Sequence, residues 1–399
     1  MNASAPTIAE QLSRLGYTTH IVGKWHLGFC KQDYLPTERG FDHHFGFWSG
    51  AEDYFTHLTG NAYDFRKNMD VFPSAKGKYS TALFQNEAVD IIKQHNQSNP
   101  LFLYLPFQSP HIPLEVPLRF NIYKKKISNI DRATYLGMVT AMDFAVGRII
   151  KALEKQNMIS NTLIIFMSDN GGMPKSGNNW PLRGGKHTLF EGGTRVPAFI
   201  SGLGLKPRTE SGIFHISDWY PTILGAVDPH AFYKDVDGVN HWESLINPRI
   251  PWARKTMIYN IGEVTEKNHV PVAAIRVENW KYVWREVGHW KGWYLPAERR
   301  LGNESQHWKD FHFNEFRRGW EANKDPHKPV GNLLFDLSTD PFEKVNLASK
   351  YPELVKELQD KLKVSMKTTV GRDKNNVVGP KVKHGVWHTG WCKSNVKET

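Results

Sequence analysis

A short apolar run that ends abruptly in polar residues sets the strongest limit on how this chain can fold. The run covers Leu163 to Met167 and is followed by Ser168, Asp169, Asn170 and two glycines. It is too short for a helix, and an uninterrupted apolar strand is typical of a parallel sheet covered by helices. We therefore predict an α/β fold in which this strand is buried on both faces. Ligands of open α/β sheets lie beyond the carboxyl ends of the strands, where Asp169 and Asn170 fall.

Helix and strand patterns alternate through the first part of the chain. Apolar residues recur at helical spacing near 6–16, 80–95, 131–156 and 216–227, and short apolar segments between several of them predict strands. The helix at 131–156 is the clearest. Its predicted apolar stripe consists of Leu136, Val139, Met142, Val146, Ile149 and Leu153. Such alternation is typical of the α/β class.

The sequence pattern changes after about residue 250. Short segments of alternating polarity predict antiparallel strands, and Pro352 opens an amphipathic helix. We predict a first domain at 1–250, a smaller α+β domain at 251–370 and a basic tail at 371–399. In the tail, only Trp387, Trp391 and Cys392 offer an anchor.

Polar residues follow three predicted strands at one edge of the sheet. Lys24 and His26 follow the first strand, His111 the second and Asp169–Asn170 the third, with Lys186 on the next loop. Lysines neutralise a tetrahedral oxyanion, and a histidine can protonate a leaving group. Carboxylate and amide oxygens are ligands that calcium or magnesium prefers. Each residue alone also fits a solvated turn or a capped loop, but together they predict an anion site with a metal ion.

The net charge and the composition limit the classes of partner that the protein can bind but do not identify one. The net charge of +11 favours polyanionic partners: nucleic acid, an anionic membrane or a sulfated polysaccharide. No nucleic-acid-binding motif is present, and no stretch approaches the ~20 apolar residues of a transmembrane helix. A basic aromatic stretch at 285–328 is predicted either to bind a sulfated polysaccharide or simply to be solvated. Its arginine pairs are Arg299, Arg300, Arg317 and Arg318.

Cys30 and Cys392 are the only cysteines, so no cysteine framework is expected. The two either pair, which would tie the tail to the loop after Lys24, or stay apart. No signal peptide is visible at the amino terminus. Glycosylation sequons occur at Asn2, Asn96 and Asn303, and the sequence leaves the oligomeric state open.

Several motifs resemble the sulfatase family, in particular its arylsulfatase B branch. GYTTHIVGKWHLG at 16–28 is similar to a signature of that family. Further similar segments are LPTERGFDHHFGFWSGAEDYFTH at 35–57, PLFLYLPFQSPHIPLEVP at 100–117, SGNNWPLRGGKHTLFEGG at 176–193, ISDWYPTIL at 216–224 and LFDLSTDPFEKVNLA at 334–348. The likeness covers nearly the whole chain, except near 286–325 and in the tail.

The resemblance implies an alkaline-phosphatase-like α/β fold, with a mixed, largely parallel sheet flanked by helices. It also implies a lysosomal or secreted sulfuric ester hydrolase acting on sulfated glycosaminoglycan sugars or aryl sulfates. Asp169 and Asn170 would be ligands of a calcium ion (Ca2+). Lys24, His111 and Lys186 would contact the sulfate, with His111 near the leaving oxygen.

The resemblance further implies that Lys24 and His26 hold a catalytic aldehyde hydrate. In the family this hydrate belongs to a formylglycine made from cysteine in a Cys-x-Pro-Ser-Arg segment. It attacks sulfur, and the alcohol leaves.

The chain departs from the family pattern at this nucleophile. Neither Cys30 nor Cys392 begins a Cys-x-Pro-Ser-Arg segment. We therefore expect this sequence to lack the amino-terminal portion that carries the nucleophile, two metal carboxylates and a central strand, and residues 1–399 alone to be inactive. A non-catalytic relative that binds sulfated glycans is the main alternative. A phosphate-ester hydrolase of the wider superfamily is disfavoured, because the Gly-Lys-Trp-His-Leu-Gly motif resembles sulfatases specifically.

Overall fold

The computed structural model describes residues 5–228, 236–262, 272–286, 290–299, 330–369 and 381–391. The chain forms two compact units. The first contains Met1–Thr162, Leu224–Ala231 and Asp373–Thr399, and the second contains Leu163–Ile223 and Phe232–Arg372. These units group the chain differently from the sequence-based domains, whose boundaries near 250 and 370 stay a prediction.

The first unit is built on a five-stranded mixed sheet. In spatial order its strands are β6 (Asp70–Val71), β5 (Phe65–Lys67), β2 (His43–Phe47), β1 (Thr18–Lys24) and β7 (Leu101–Tyr104). Strand β1 pairs in parallel with both β2 and β7, whereas β5 pairs antiparallel with β2 and with β6. The carboxyl ends of β1, β2 and β7 therefore meet at one edge of the sheet.

Three helices of the first unit are α1 (Ile8–Arg14), α2 (Ser80–Gln94) and α3 (Ile130–Lys155). Helix α1 begins with a capping box, in which the side chains of Thr7 and Glu10 each accept a backbone N–H from the other residue. One apolar cluster of this unit joins sheet residues to α2, and its buried members are Val22, Phe45, Phe47, Phe65, Ala75 and Phe84. The predicted spans of α2 and α3 are confirmed to within a residue.

The predicted apolar stripe of α3 was wrong in phase. Of its six residues, only Ile149 and Leu153 are buried. The buried apolar face consists mainly of small residues: Ala133, Gly137, Met138, Ala141, Ala145, Ile149, Ala152 and Leu153. A Cβ at Gly137 would lie 2.8 Å from the carbonyl oxygen of Phe120, so the chain approaches the helix too closely for a side chain there. Small residues permit this approach but add little to an apolar pattern in the sequence.

A hairpin from the carboxyl-terminal region completes a second sheet of the first unit. Its strands are β14 (Lys381–Lys383), β15 (Val386–His388), β4 (Ala62–Tyr63) and β3 (Leu58–Thr59), in that order. The indole of Trp387 donates to the carbonyl of Thr59 at 3.1 Å. The buried guanidinium of Arg66 donates to the carbonyl of Trp387.

The same tail segment docks on the loop that follows β1. Gly390 and Trp391 donate backbone hydrogen bonds of 2.7 and 3.1 Å to the carbonyl of Cys30. The ring of Phe29 packs against the rings of Trp387 and Trp391 at 6.4 and 5.5 Å. Both predicted tryptophan anchors are therefore confirmed. Cys30 is disulfide-bonded, whereas Cys392, the other cysteine of the chain, lies outside the described residues.

The second unit starts with the apolar run, and its pairing differs from the prediction. Strand β8 (Ile164–Met167) pairs antiparallel with β9 (Ala198–Ser201) in a two-stranded sheet. All four residues of β8 are only half-buried, and Phe199 of β9 is 53% exposed. The prediction that this strand is buried on both faces of a parallel sheet was therefore wrong for this part of the described chain. An apolar run indicates that a strand can pack against other apolar elements. It does not indicate whether the neighbouring strand is parallel or antiparallel.

The remainder of the second unit holds an antiparallel sheet covered by a helix, as predicted. The sheet order is β10 (Thr256–Ile261), β11 (Ala273–Val277), β12 (Trp280–Glu286) and β13 (Val330–Asp336). Helix α7 (Pro352–Met366) packs on it through Leu358 and Leu362. Shorter helices in the chain are α4 (Glu191–Thr194), α5 (Trp219–Val227) and α6 (Trp242–Ile246). Across the described ranges, no helix has the length and apolar character needed to span a bilayer.

Candidate active site

Lys24 and His26 lie at the carboxyl edge of the first unit's sheet. Lys24 is the last residue of β1, and its backbone N–H donates to the carbonyl of Pro106, just beyond β7, at 2.9 Å. The N–H of His26 donates to the carbonyl of Trp48, just beyond β2, at 3.1 Å. Backbone hydrogen bonds thus extend past the ends of the strands and fix the segment that carries both side chains.

The backbone and ring of His26 are tightly constrained. Its φ angle is 58°, in the left-handed region that non-glycine residues rarely adopt. A Cβ at Gly50 would lie 2.5 Å from Nε2 of His26, so only glycine fits beside the imidazole in this arrangement. An uncommon backbone conformation held by close neighbours is typical of functional sites.

His111 follows β7, on the strand neighbouring β1. Its Nδ1 lies 2.7 Å from the carbonyl oxygen of Ile112. Because a carbonyl only accepts, Nδ1 carries the proton, and proton exchange by a neutral imidazole would take place at Nε2. The hydroxyl of Tyr54 donates to the carbonyl of His111 at 2.9 Å. The first unit therefore brings the segments bearing Lys24, His26 and His111 to the same sheet edge, as predicted.

A buried polar network lies behind His111. The Gln108 side chain exchanges two hydrogen bonds, of 2.9 and 2.6 Å, with the backbone of Glu52. Oε1 of Glu52 lies 3.0 Å from Nδ1 of His57 and accepts from the Ser80 hydroxyl at 2.8 Å. Burial raises the pKa of Glu52 to about 7, despite these partners. Since Glu52, His57 and Ser80 are fully buried, this network positions the chain and is not itself accessible to a substrate.

Asp169 and Asn170 occupy the turn after β8 in the second unit. The Asp169 carboxylate accepts the backbone N–H of Asn170 at 2.9 Å, and Asp169 is exposed. Gly171 donates its N–H to the carbonyl of Gly193 at 2.9 Å. A Cβ at Gly171 would lie 1.8 Å from the Gly192 carbonyl oxygen, so this contact requires glycine. The turn is thereby held against the Gly192–Gly193 pair.

Lys186 is held beside the same turn. Its backbone N–H donates to the carbonyl of Gly172 at 3.2 Å. The side chain of Asn179 accepts the N–H of Gly172 at 2.8 Å and donates to its carbonyl at 2.7 Å. The second unit thus brings Asp169, Asn170 and the Lys186 loop together. The bridging role of Asn179, which lies in the SGNNWPLRGGKHTLFEGG segment, was not predicted from the sequence.

A buried ionic cluster fixes the far side of the Lys186 loop. Nζ of Lys281, on β12, lies 2.8 Å from Oε1 of Glu191 and 2.9 Å from Oε1 of Glu343. The backbone N–H of Glu191 donates to Oε2 of Glu343 at 2.7 Å, and Tyr259 donates to Glu191 at 3.1 Å. Between Lys186 and Glu191, Phe190 packs in the core formed with β11, β12 and β13. Sequence patterns gave no signal for this cluster, because its members lie up to 152 residues apart.

The pKa values of the cluster follow from this geometry. Burial would lower the pKa of Lys281, but the charges of Glu191 and Glu343 outweigh it and raise that pKa above its ordinary value. Burial would raise the pKa of Glu191, yet Lys281 lowers it overall. Burial also raises the pKa of Glu343, and Lys281 offsets this only in part. The two carboxylates together therefore hold the Lys281 ammonium group in its charged form.

The described residues supply only part of what a calcium ion needs. In the ranges that the structure covers, no three or more His, Cys, Asp or Glu residues are grouped so as to hold a metal. Asp169 and Asn170 offer oxygen atoms of the type that calcium prefers, but calcium takes about six to eight. The disulfide of Cys30 excludes this residue as the source of a formylglycine.

The basic aromatic stretch at 285–328 falls largely outside the described residues. Arg300, Arg317 and Arg318 lie there, so their proposed contact with a polysaccharide stays a prediction. Trp290, which is described, is 6% exposed and packs edge-on against Tyr294 at 5.8 Å. It is a core residue and not a stacking surface for sugars.

Comparison with known proteins gives consistent matches along the chain. The family profile described as Sulfatase matches residues 2–229, and the C-terminal region of aryl-sulfatase matches residues 253–398. Arylsulfatase J of Mus musculus is 33% identical, across 98% of this chain and 68% of that protein. N-acetylgalactosamine-6-sulfatase of Homo sapiens is 29% identical across 62% of this chain, and the match spans about half (49%) of that protein.

Solved structures share the architecture. Ps i-CgsB in complex with k-i-k-neocarrahexaose has a TM-score of 0.70 and 27% identity, across 91% of this chain and 74% of that chain. The neighbours include sulfatases with the alkaline-phosphatase-like fold, so the predicted fold class is confirmed. The mixed sheet with a parallel centre, the antiparallel sheet under α7 and the two family matches agree with one another. This chain belongs to the sulfatase family and is by family a sulfuric ester hydrolase.

Proposed function

We propose that this protein hydrolyses sulfate esters on sulfated glycosaminoglycan sugars. The observation that carries the proposal is the meeting of the Lys24, His26 and His111 segments at one sheet edge, in a chain of the sulfatase family. The similarity to N-acetylgalactosamine-6-sulfatase supports a sugar sulfate as the substrate class.

The chain's own residues bind the sulfate and move a proton. Lys24 and Lys186 neutralise sulfate oxygens, and His26 contributes a ring for which Gly50 leaves the space. His111, with its Nδ1 proton held by the carbonyl of Ile112, takes up a second proton at Nε2 and as the imidazolium donates that proton to the leaving oxygen. In the family mechanism a formylglycine would supply the group that attacks sulfur, and a bound calcium ion would supply a Lewis acid toward the sulfate.

Asp169 and Asn170 are proposed as two ligands of the calcium ion. They lie side by side on a turn held by Gly193. These two residues supply only part of the roughly six to eight oxygen ligands that calcium takes.

We also propose a lysosomal or secreted location. Cys30 is disulfide-bonded. Disulfides persist in oxidising compartments and are rare in the cytosol.

The test measures turnover of a chromogenic aryl sulfate by the protein expressed from its gene. Lys186→Ala and His111→Ala should each lower kcat/KM by about 10²–10³, the usual effect of removing one such electrostatic contact. Lys206→Ala, which removes an exposed lysine elsewhere in the second unit, is the control and should change nothing. Kinetics like those of the wild type in both site variants would refute the assignment.

The second candidate function is a non-catalytic protein that binds sulfated glycans. It is favoured by the disulfide of Cys30 and by the absence of a Cys-x-Pro-Ser-Arg segment in residues 1–399. The two candidate functions predict different turnover of a sulfate ester but the same binding of a sulfated sugar. A polypeptide of residues 1–399 should bind a sulfated sugar without cleaving an aryl sulfate, because binding without an attacking group gives no reaction. Turnover that copurifies with this polypeptide would overturn our view of the nucleophile.

A further inference from the structure

The segment 118–130 presents several large apolar side chains to solvent. Leu118 is 91% exposed, Ile122 57% and Ile130 49%. Phe144, on the adjoining face of α3, is 46% exposed. Single exposed apolar residues are common in proteins, but a group of them in one segment marks a contact surface.

This segment is well anchored to α3. Phe120 packs with the buried cluster that includes Tyr54 and Met138. The hydroxyls of Tyr123 and Thr140 lie 3.1 Å apart, within hydrogen-bonding distance. Inner residues thus fix the segment while Leu118 and Ile122 remain outside. The apolar surface is therefore preformed and is not a loop lacking packing contacts.

Positive charge surrounds the exposed apolar residues. Arg119, Lys124, Lys125 and Lys126 all lie between Val116 and Ile130, where the sequence contains no acidic residue. The three lysines are exposed. The guanidinium of Arg119 lies over the rings of Phe120 and Phe144, at 4.7 and 5.6 Å. The nearest acidic residues in the sequence are Glu115, which accepts the backbone N–H of Tyr54 at 3.0 Å, and Asp131 in the first turn of α3.

We propose that segment 118–130 binds an anionic lipid surface. Lysines attract the negative headgroups, and the exposed leucine and isoleucine enter the boundary between headgroups and acyl chains. A sulfated polysaccharide or a nucleic acid would satisfy the charges but would offer no apolar phase to Leu118 and Ile122. The apolar residues therefore favour a lipid partner.

Cosedimentation of the full chain with vesicles tests this proposal. We expect binding to vesicles of phosphatidylcholine mixed with phosphatidylserine, weaker binding at high salt and little binding to phosphatidylcholine alone. The triple variant Lys124→Gln, Lys125→Gln and Lys126→Gln should lose on the order of 10²-fold in affinity, since each lysine near such a surface contributes roughly fivefold. The double variant Leu118→Ser and Ile122→Ser should also lose vesicle binding while keeping its retention on heparin resin.

Matched controls change exposed lysines and exposed apolar residues elsewhere in the chain. Lys76→Gln with Lys78→Gln and Lys350→Gln alters the same net charge, and Leu203→Ser with Val364→Ser removes exposed apolar residues. Both controls should bind vesicles like the wild type. The lipid proposal is overturned if the wild type does not sediment with anionic vesicles. It is equally overturned if the Leu118 and Ile122 variant binds them normally, which would indicate a purely electrostatic polyanion surface.

Discussion

Replacing Lys281 by methionine should destabilise the second unit strongly. The side chain is fully buried, and its ammonium group is the shared partner of Glu191 and Glu343. Methionine fills a similar volume but leaves two buried carboxylates without their cation. Removing one partner of a buried ion pair typically costs about 3–5 kcal/mol, because an uncompensated charge remains. Against a total stability of roughly 5–15 kcal/mol, this is a large loss.

The measurement is denaturant unfolding followed by tryptophan fluorescence, at neutral pH. A second variant, Lys281→Met with Glu343→Gln, should recover part of the loss, because the remaining Glu191 keeps its hydrogen bond from Tyr259. Lys350→Met changes an exposed lysine and should stay within about 0.5 kcal/mol of the wild type. A loss below about 1 kcal/mol for Lys281→Met would refute the reasoning, since it would mean that water reaches the two carboxylates.

Two further predictions concern the first unit. Gly50→Ala should displace the His26 ring and lower turnover of an aryl sulfate by the protein expressed from its gene. The control Gly147→Ala, with open space around it on α3, should raise stability by about 0.5–1 kcal/mol. Equal turnover by the two variants would show that the position of the His26 ring does not matter. Because burial raises the pKa of Glu52 to about 7, its contribution to stability is present below the ordinary value of 4.5 and lost as pH rises through 7, on the order of 3 kcal/mol. As the pH rises through this range, the unfolding midpoint should fall for the wild type and stay nearly level for Glu52→Gln. If the midpoints of the two proteins changed in parallel with pH, the raised pKa of Glu52 would be contradicted.

Local patterns in the sequence predicted the spans of helices α2 and α3 well. Helix α2 spans Ser80–Gln94 where the sequence indicated 80–95, because its apolar spacing is set within the helix. Lys24, His26 and His111 are predicted to share an edge because parallel neighbours end together. Strands β1 and β7 do pair in parallel, while the shared site of these three side chains stays a prediction. Helix spans and strand ends can be predicted from a short stretch of sequence because they depend on neighbouring residues.

Properties that depend on distant partners were not predictable. The direction of β8 is set by β9, which returns only after a long loop, so an apolar run could not reveal it. The cluster at Lys281 joins three segments whose local sequences show ordinary strand and loop residues. The buried face of α3 was missed because its alanines contribute to packing by being small.

The docking of the tail has a consequence for how the chain folds during synthesis. Arg66 is buried, yet one of its acceptors is the carbonyl of Trp387, 321 residues later. The small sheet of β3 and β4 likewise gains β15 only after residues 386–388 have been synthesised. Contacts of such long sequence separation form late and slow folding. Until those residues are synthesised, the nascent first unit has Arg66 without this acceptor and β4 without its neighbour β15. Unpaired strand edges of this kind make folding intermediates prone to aggregation.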